Sequence, residues 1–163
     1  NIVKTYNLIK KIVLDNEIDT LFCPAYEGGH QDHDVTNYIA SKFNKICKVY
    51  EFAEYNFYKN IINSNTFIEL NGTEHTINLN EQQRKFKKMC LDTYRSETNN
   101  VSYIKLFQES FRPIKNYDYS APPHKGILFY RRFSFFSWHP KVEETKPRDL
   151  CETFKKLKIK NEV

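Results

Sequence analysis

The densest chemistry in this sequence lies in one short run, Tyr26-Glu27-Gly28-Gly29-His30-Gln31-Asp32-His33-Asp34. Two histidines three residues apart project from the same side of a helix's first turn. Imidazole is a preferred ligand for zinc. Aspartates next to such rings, here Asp32 and Asp34, hold or polarise them from behind. Gly28 and Gly29 carry no side chain, so the backbone there is expected to approach a bound molecule closely. The competing explanation is an ordinary polar helix cap. A lone pair of histidines would favour that explanation. Two histidines, two aspartates and two glycines at one strand–helix junction make a site a serious alternative.

The surrounding elements decide whether the run sits at such a junction. Residues 20–24 form a short apolar strand that ends at Pro24. From His30 a helical pattern begins, with Val35, Tyr38, Ile39 and Phe43 on one face. Upstream, residues 2–16 place Ile2, Tyr6, Ile9 and Val13 at helical spacing. Downstream, residues 48–53 read as the next strand. Helix, strand, glycine loop, helix and strand make an α/β pattern with a largely parallel sheet. In such sheets ligands bind outside the carboxyl ends of the strands, where this run falls. Beyond it, residues 66–70 and 73–78 predict a hairpin around Asn71-Gly72. A helix is expected from Asn80 to about residue 94, and a weaker one over 102–110. Residues 117–125 are irregular around Pro122-Pro123. An aromatic strand is expected over 126–136, with Trp138 and the 133–136 cluster in the core. A charged helical tail runs from Lys141, with Leu150, Phe154 and Leu157 as its stripe. No internal repeat or low-complexity segment is present.

The run Gly29-His30-Gln31-Asp32-His33 resembles the second signature of the GlcNAc-PI de-N-acetylase (PIG-L/LmbE-like) family, a glycine followed by His-Pro/Gln-Asp-His. Pro24-Ala25-Tyr26-Glu27-Gly28 is similar to that family's strand end. Lys85 to Glu97 resembles its helix ending in Tyr/His-Arg-Ser-Gln, with Glu97 in place of the usual Gln. Glu109-Ser110-Phe111-Arg112 resembles its Glu-x-Phe-Arg element. The run from Tyr117 to His124, with Leu128-Phe129-Tyr130, resembles a C-terminal block of some bacterial members, although Ala121 stands where Arg is expected. The resemblance implies a Rossmann-like three-layer α/β sandwich with a mostly parallel sheet, here truncated at its N-terminus. Residues 1–55 would end the α/β core, 56–140 would supply substrate-side elements, and 141–163 a charged helix. It implies His33 as a zinc ligand, His30 as the catalytic group facing the oxyanion, and Asp32 as its catalytic companion. The family's other signature, His-Pro-Asp-Asp, supplies the two remaining zinc ligands and the general base, and these 163 residues lack it. His139-Pro140 begins similarly without the aspartates. The start at Asn1, directly in a helical pattern, leads us to expect a longer protein. The present residues alone are expected to bind Zn2+ poorly and to be inactive.

The implied activity is zinc-dependent removal of an N-acetyl group from an amino sugar or glycoconjugate. Two alternatives are a catalytically inactive carbohydrate-binding or structural protein of the same fold, and a different metallohydrolase with ligands elsewhere in the chain. Besides Gly28 and Gly29, the candidate substrate contacts are Tyr26, Glu51 at a strand end, Arg95 beside Tyr94 and Ser96, and His124 in the proline-rich loop. His75 reads as an exposed surface residue, and neither it nor His139 is among the candidate site residues. The net charge of +5 comes from scattered lysines, not a dense stripe, which argues against a nucleic-acid partner. Four cysteines with no close pair argue for reduced thiols and a cytoplasmic setting. No stretch is apolar enough to predict an integral membrane segment. A hydrophobic content of 40 % with thirteen Phe and eleven Tyr predicts a globular core built from large rings.

Overall fold

A computed structural model of the chain describes residues 1–126, 128 and 146–157. Helix α1 spans Ile2–Asp15, capped by the Asn1 side chain, and buries Tyr6 and Val13. Strand β1 (Thr20–Pro24) leads through the glycine loop into helix α2 (Gln31–Ser41), and β2 (Lys48–Phe52) follows. These four elements form where the hydrophobic spacing predicts them. A two-residue pair, β3 (Tyr55–Asn56) and β4 (Asn63–Ser64), flanks a 3-10 turn. Strand β5 (His75–Asn78), helix α3 (Glu81–Asp92), the short helix α4 (Thr98–Val101), strand β6 (Gln108–Pro113) and helix α5 (Pro147–Lys156) complete the described elements. Helix α3 starts at Asn80 as expected, through a reciprocal capping box with Gln83.

The main sheet has the order β1-β2-β6-β5. The strands at Leu21 and Val49 are paired in register in this one sheet, and they run parallel. The other two pairings, β2 with β6 and β5 with β6, are antiparallel. The expectation of a mostly parallel sheet is therefore corrected: among the described residues the fold is α/β with a mixed sheet. Helices α1, α2 and α5 close one core with the strand residues Cys23 and Val49. Tyr38 of α2 stacks on Phe154 of α5 with ring centroids 4.2 Å apart. Phe43 is fully buried, a burial that contributes about 2–3 kcal/mol. Leu150 and Phe154 of the tail face this core as the stripe predicts.

The predicted hairpin does not form. Strand β5 pairs with β6, and residues 66–70 wrap around Arg112, whose guanidinium donates to the Glu69 carbonyl at 2.7 Å. Asn71-Gly72 makes a turn nonetheless, but its amides donate to the Glu74 carboxylate (2.7 and 2.9 Å) instead of closing a ladder. The weak helix over 102–110 is also corrected. Residues 108–113 are a strand because Ser110 and Arg112 alternate inward. Of the aromatic strand expected over 126–136, only Gly126 and Leu128 are among the described residues, and Leu128 is buried. The 133–136 cluster, Trp138 and His139 lie outside them. No helix among the described residues is long and apolar enough to cross a membrane.

Candidate functional site

The loop 25–30 leaves the carboxyl end of β1, beside the carboxyl end of its parallel neighbour β2. Its shape is set by two buried carboxylates. Asp34, fully buried on α2, accepts from the backbone N–H groups of Glu27 (3.2 Å) and Gly28 (3.1 Å). Glu27 reaches the other way: its carboxylate accepts from the Glu54 N–H at 2.7 Å and from Asn56 Nδ2 at 3.0 Å. The loop is thus tied to α2 on one side and to the segment leaving β2 on the other.

Both glycines are required, but chiefly by the protein's own packing. Gly28 has φ +69°, and a Cβ there would collide with the Leu128 side chain and approach Pro123. A Cβ on Gly29 would overlap the Tyr55 carbonyl oxygen, a rigid backbone atom. The glycines expected to admit a substrate thus have a packing reason of their own. Gly29→Ala should destabilise the fold by about 3 kcal/mol, measured by urea unfolding. An unfolding free energy within a few tenths of wild type would show that the carbonyl can move aside.

His30 is the N-cap of α2, in extended backbone conformation, and its Nδ1 accepts the Asp32 N–H at 3.2 Å. Its side chain is 43 % exposed, with the Asp32 carboxylate 3.7 Å from Nδ1. His33 lies one turn into the helix, its ring 5.4 Å from that of His30. It is the more buried of the two, packed edge-on against Tyr55, with Nδ1 3.2 Å from the Glu54 carboxylate. That approach is close enough for a hydrogen bond but not aligned for one, so Nδ1 counts as buried without a partner. Burial pushes the His33 pKa down to about 4, His30 adding to the fall and Asp32 opposing it. Burial raises Glu54 as well. Because burial opposes charge on both partners, we take His33 as a neutral imidazole at neutral pH.

The proline-rich segment is brought to the same loop. His124 Nδ1 accepts the Gly126 N–H at 3.0 Å. Its Nε2 is buried and unpartnered beside Gly28. Burial lowers its pKa. Tyr58 meets its ring edge-on, and a groove of about 240 Å³ continues along Tyr58, Lys59, Asn56 and Phe67.

Three expected substrate contacts are placed elsewhere. Tyr26 is a core residue whose hydroxyl donates to the Ala121 carbonyl at 2.8 Å. Glu51 is fully buried; its carboxylate accepts from Arg112 Nε (2.7 Å), Tyr117 hydroxyl (2.7 Å) and Asn37 Nδ2 (3.0 Å). Arg95 lies on an exposed 3-10 turn beyond α3. Sequence reasoning passed over Glu54 and assigned Glu27 no role. The signal for Glu54 was its place just past β2, at the edge where β1 delivers the histidines.

The two buried carboxylates make a pH prediction. Burial raises Asp34 to about 8, against its two backbone donors, and Glu27 to about 7, against its bonds to Asn56 and Glu54. Each binds a proton in the fold at a pH where the unfolded chain has released it. Stability from these groups is full below pH 4 and is lost as pH rises through about 7 to 8. His33 acts oppositely: its contribution is full above about 6.5 and lost as pH falls toward 4. Thermal melts should peak in mildly acid solution and fall on the alkaline side, and Asp34→Asn should flatten that alkaline fall. A wild-type Tm that does not drop between about pH 6 and about pH 9 would contradict this.

No family model, curated protein or solved structure matches this chain. The fit of the residues to a metal can be tested on the site itself. A neutral imidazole is the form that binds metal, and His33 has it. Among the described residues, however, no three His, Cys, Asp or Glu side chains converge on one point. Zinc would need ligands from outside them.

Proposed function

We propose that this chain is the substrate-side part of a zinc-dependent N-deacetylase acting on an N-acetylated amino sugar. The observation that carries the reading is the pair of imidazoles at the carboxyl edge of β1 and β2. One is mostly buried and neutral, the other half-exposed and capping a helix. Two titratable groups in opposed environments are how one site divides ligand and acid–base roles. His33 offers one nitrogen to a metal. His30 turns its exposed ring toward solvent, where an amide substrate would lie, and the Asp32 carboxylate can balance charge on it. A donor so placed stabilises the oxygen of an amide under attack and delivers a proton to the leaving amine. When bound, zinc acidifies water and polarises an amide carbonyl. The groove along Tyr58 and Lys59 is the place for the sugar ring. The three-layer, Rossmann-like arrangement belongs to this proposal too, with further chain covering the second face of the sheet.

The test is acetate release from N-acetylglucosamine derivatives by the complete protein, with metal content measured in parallel. Acetate release that is lost on chelation and restored by zinc is the expected result. A second reading, a carbohydrate-binding protein without turnover, is favoured by the rings on the open sheet face. Phe22, 59 % exposed, stacks on Tyr50 at 5.4 Å, and Phe111 meets both. Glycan binding without acetate release, abolished by Phe22→Ala, would establish that reading instead.

A further inference from the structure

We infer that Glu54 is the positioning residue for His33: its carboxylate holds the ring with the proton on Nδ1 and so turns Nε2 outward as an electron-pair donor. The inference rests on the reading of His33 as a functional imidazole. The backbone of Glu54 is fixed from both sides. Its N–H donates to Glu27 at 2.7 Å, and its carbonyl accepts the Asn65 N–H at 3.0 Å. Ala53 before it donates to the Ser110 carbonyl at 3.0 Å, and Tyr55 after it pairs with Ser64. A side chain on so constrained a backbone has few directions to point. The His33 ring is constrained as well, between Tyr55 and His30.

Nδ1 and the Glu54 oxygen are 3.2 Å apart, and Nδ1 has no other partner. If Nδ1 carried a lone pair, it would face an acceptor in a buried place, which is unfavourable. With its proton on Nδ1, a small rotation of either side chain completes the hydrogen bond. Free histidine side chains prefer the opposite tautomer, with the proton on Nε2 and no lone pair there. A carboxylate behind the ring is the usual device for reversing that preference, and it makes the outward nitrogen more basic. Glu27 belongs to the same arrangement one step back, because it anchors the backbone that carries Glu54.

The tautomer can be read directly by long-range ¹H–¹⁵N correlation spectra of the complete protein, labelled in histidine and stripped of metal with a chelator so that no ion fixes the ring, without substrate or turnover. His33 is identified by the signal missing in His33→Asn. The expected result is protonated Nδ1 in wild type. Glu54→Gln, whose amide oxygen still accepts, should keep it. Glu54→Ala should move the proton to Nε2 while the remaining histidine signals stay in place. A wild-type His33 protonated on Nε2 overturns the inference, and so does a Glu54→Ala protein that keeps the proton on Nδ1. If Glu54→Ala does not fold, wild type and Glu54→Gln still decide. Since no acetate is measured, failure here is distinct from failure of the deacetylase proposal.

Discussion

His33→Ala is expected to remove bound zinc and acetate release together, whereas His30→Ala removes only the second. A catalytic zinc has three protein ligands as a rule, so losing one leaves too few to hold it. His33 is also the imidazole that burial keeps neutral, the state a ligand needs. His30 is exposed and fixed to its own helix, so its loss should leave the metal and slow turnover by roughly 10²-fold or more. His30 is also a helix cap, and its loss would cost about 1 kcal/mol for that reason alone. His30→Asn separates the two effects: asparagine caps well but cannot deliver a proton. That variant should melt like wild type and remain slow. The measurements are zinc by elemental analysis, acetate release and Tm on the same samples. A His30→Ala protein without zinc beside a His33→Ala protein with zinc would reverse the assignment.

Arg112→Met should be the most destabilising single change in the sheet. Arg112 and Glu51 are 3 % and 0 % exposed, and they meet across the antiparallel β2–β6 pairing. The guanidinium also donates to Glu74 (2.8 Å) and to the Glu69 carbonyl, and it lies 3.9 Å from the centre of the Phe67 ring. Removing it leaves the Glu51 carboxylate buried without its charge partner, at a cost of about 3–5 kcal/mol. In a domain of this size the fall in Tm is on the order of 10 °C. Arg112→Lys should recover only part, because an ammonium cannot reproduce the planar fork. Pairing Arg112→Met with Glu51→Gln should recover more, since the fully buried charge is gone and only Glu74, 10 % exposed, has lost its partner. Calorimetry of the three variants checks this. A double variant less stable than Arg112→Met alone would mean that the charge pair is not what holds the strands together.

The first half of the fold was legible because its burial is periodic. Tyr6 and Val13 on α1, Tyr38 and Ile39 on α2, and Cys23 and Val49 on the strands face one core, and apolar spacing reports that directly. In the second half the capped α3 and the apolar stripe of α5 were legible, but the strands were not, because the inward residues of β6 are charged or polar. Ser110 and Arg112 face inward on β6, yet no hydropathy pattern marks them. The residues that compensate them, Glu51, Glu69 and Glu74, lie far away along the chain. Asn71-Gly72 has the composition of a hairpin turn, and Arg112 drew the preceding segment elsewhere. At the site, residue types alone marked His30 and His33. They could not show that Glu51 is occupied by Arg112, or that the glycines are filled by Leu128 and Tyr55. Those facts depend on which segments meet, which a local pattern does not contain.

Glu27 and Asp34 hold the 25–30 loop from opposite sides, and that has an entropic consequence. A loop tied down before anything binds has little freedom left to lose. A ligand at His30 and His33 would then meet a surface already in its bound shape and would pay little for ordering it. Such a surface cannot mould itself around a misfitting guest. It selects by rejecting shapes, and the width of that selection is set by two carboxylates that no ligand touches.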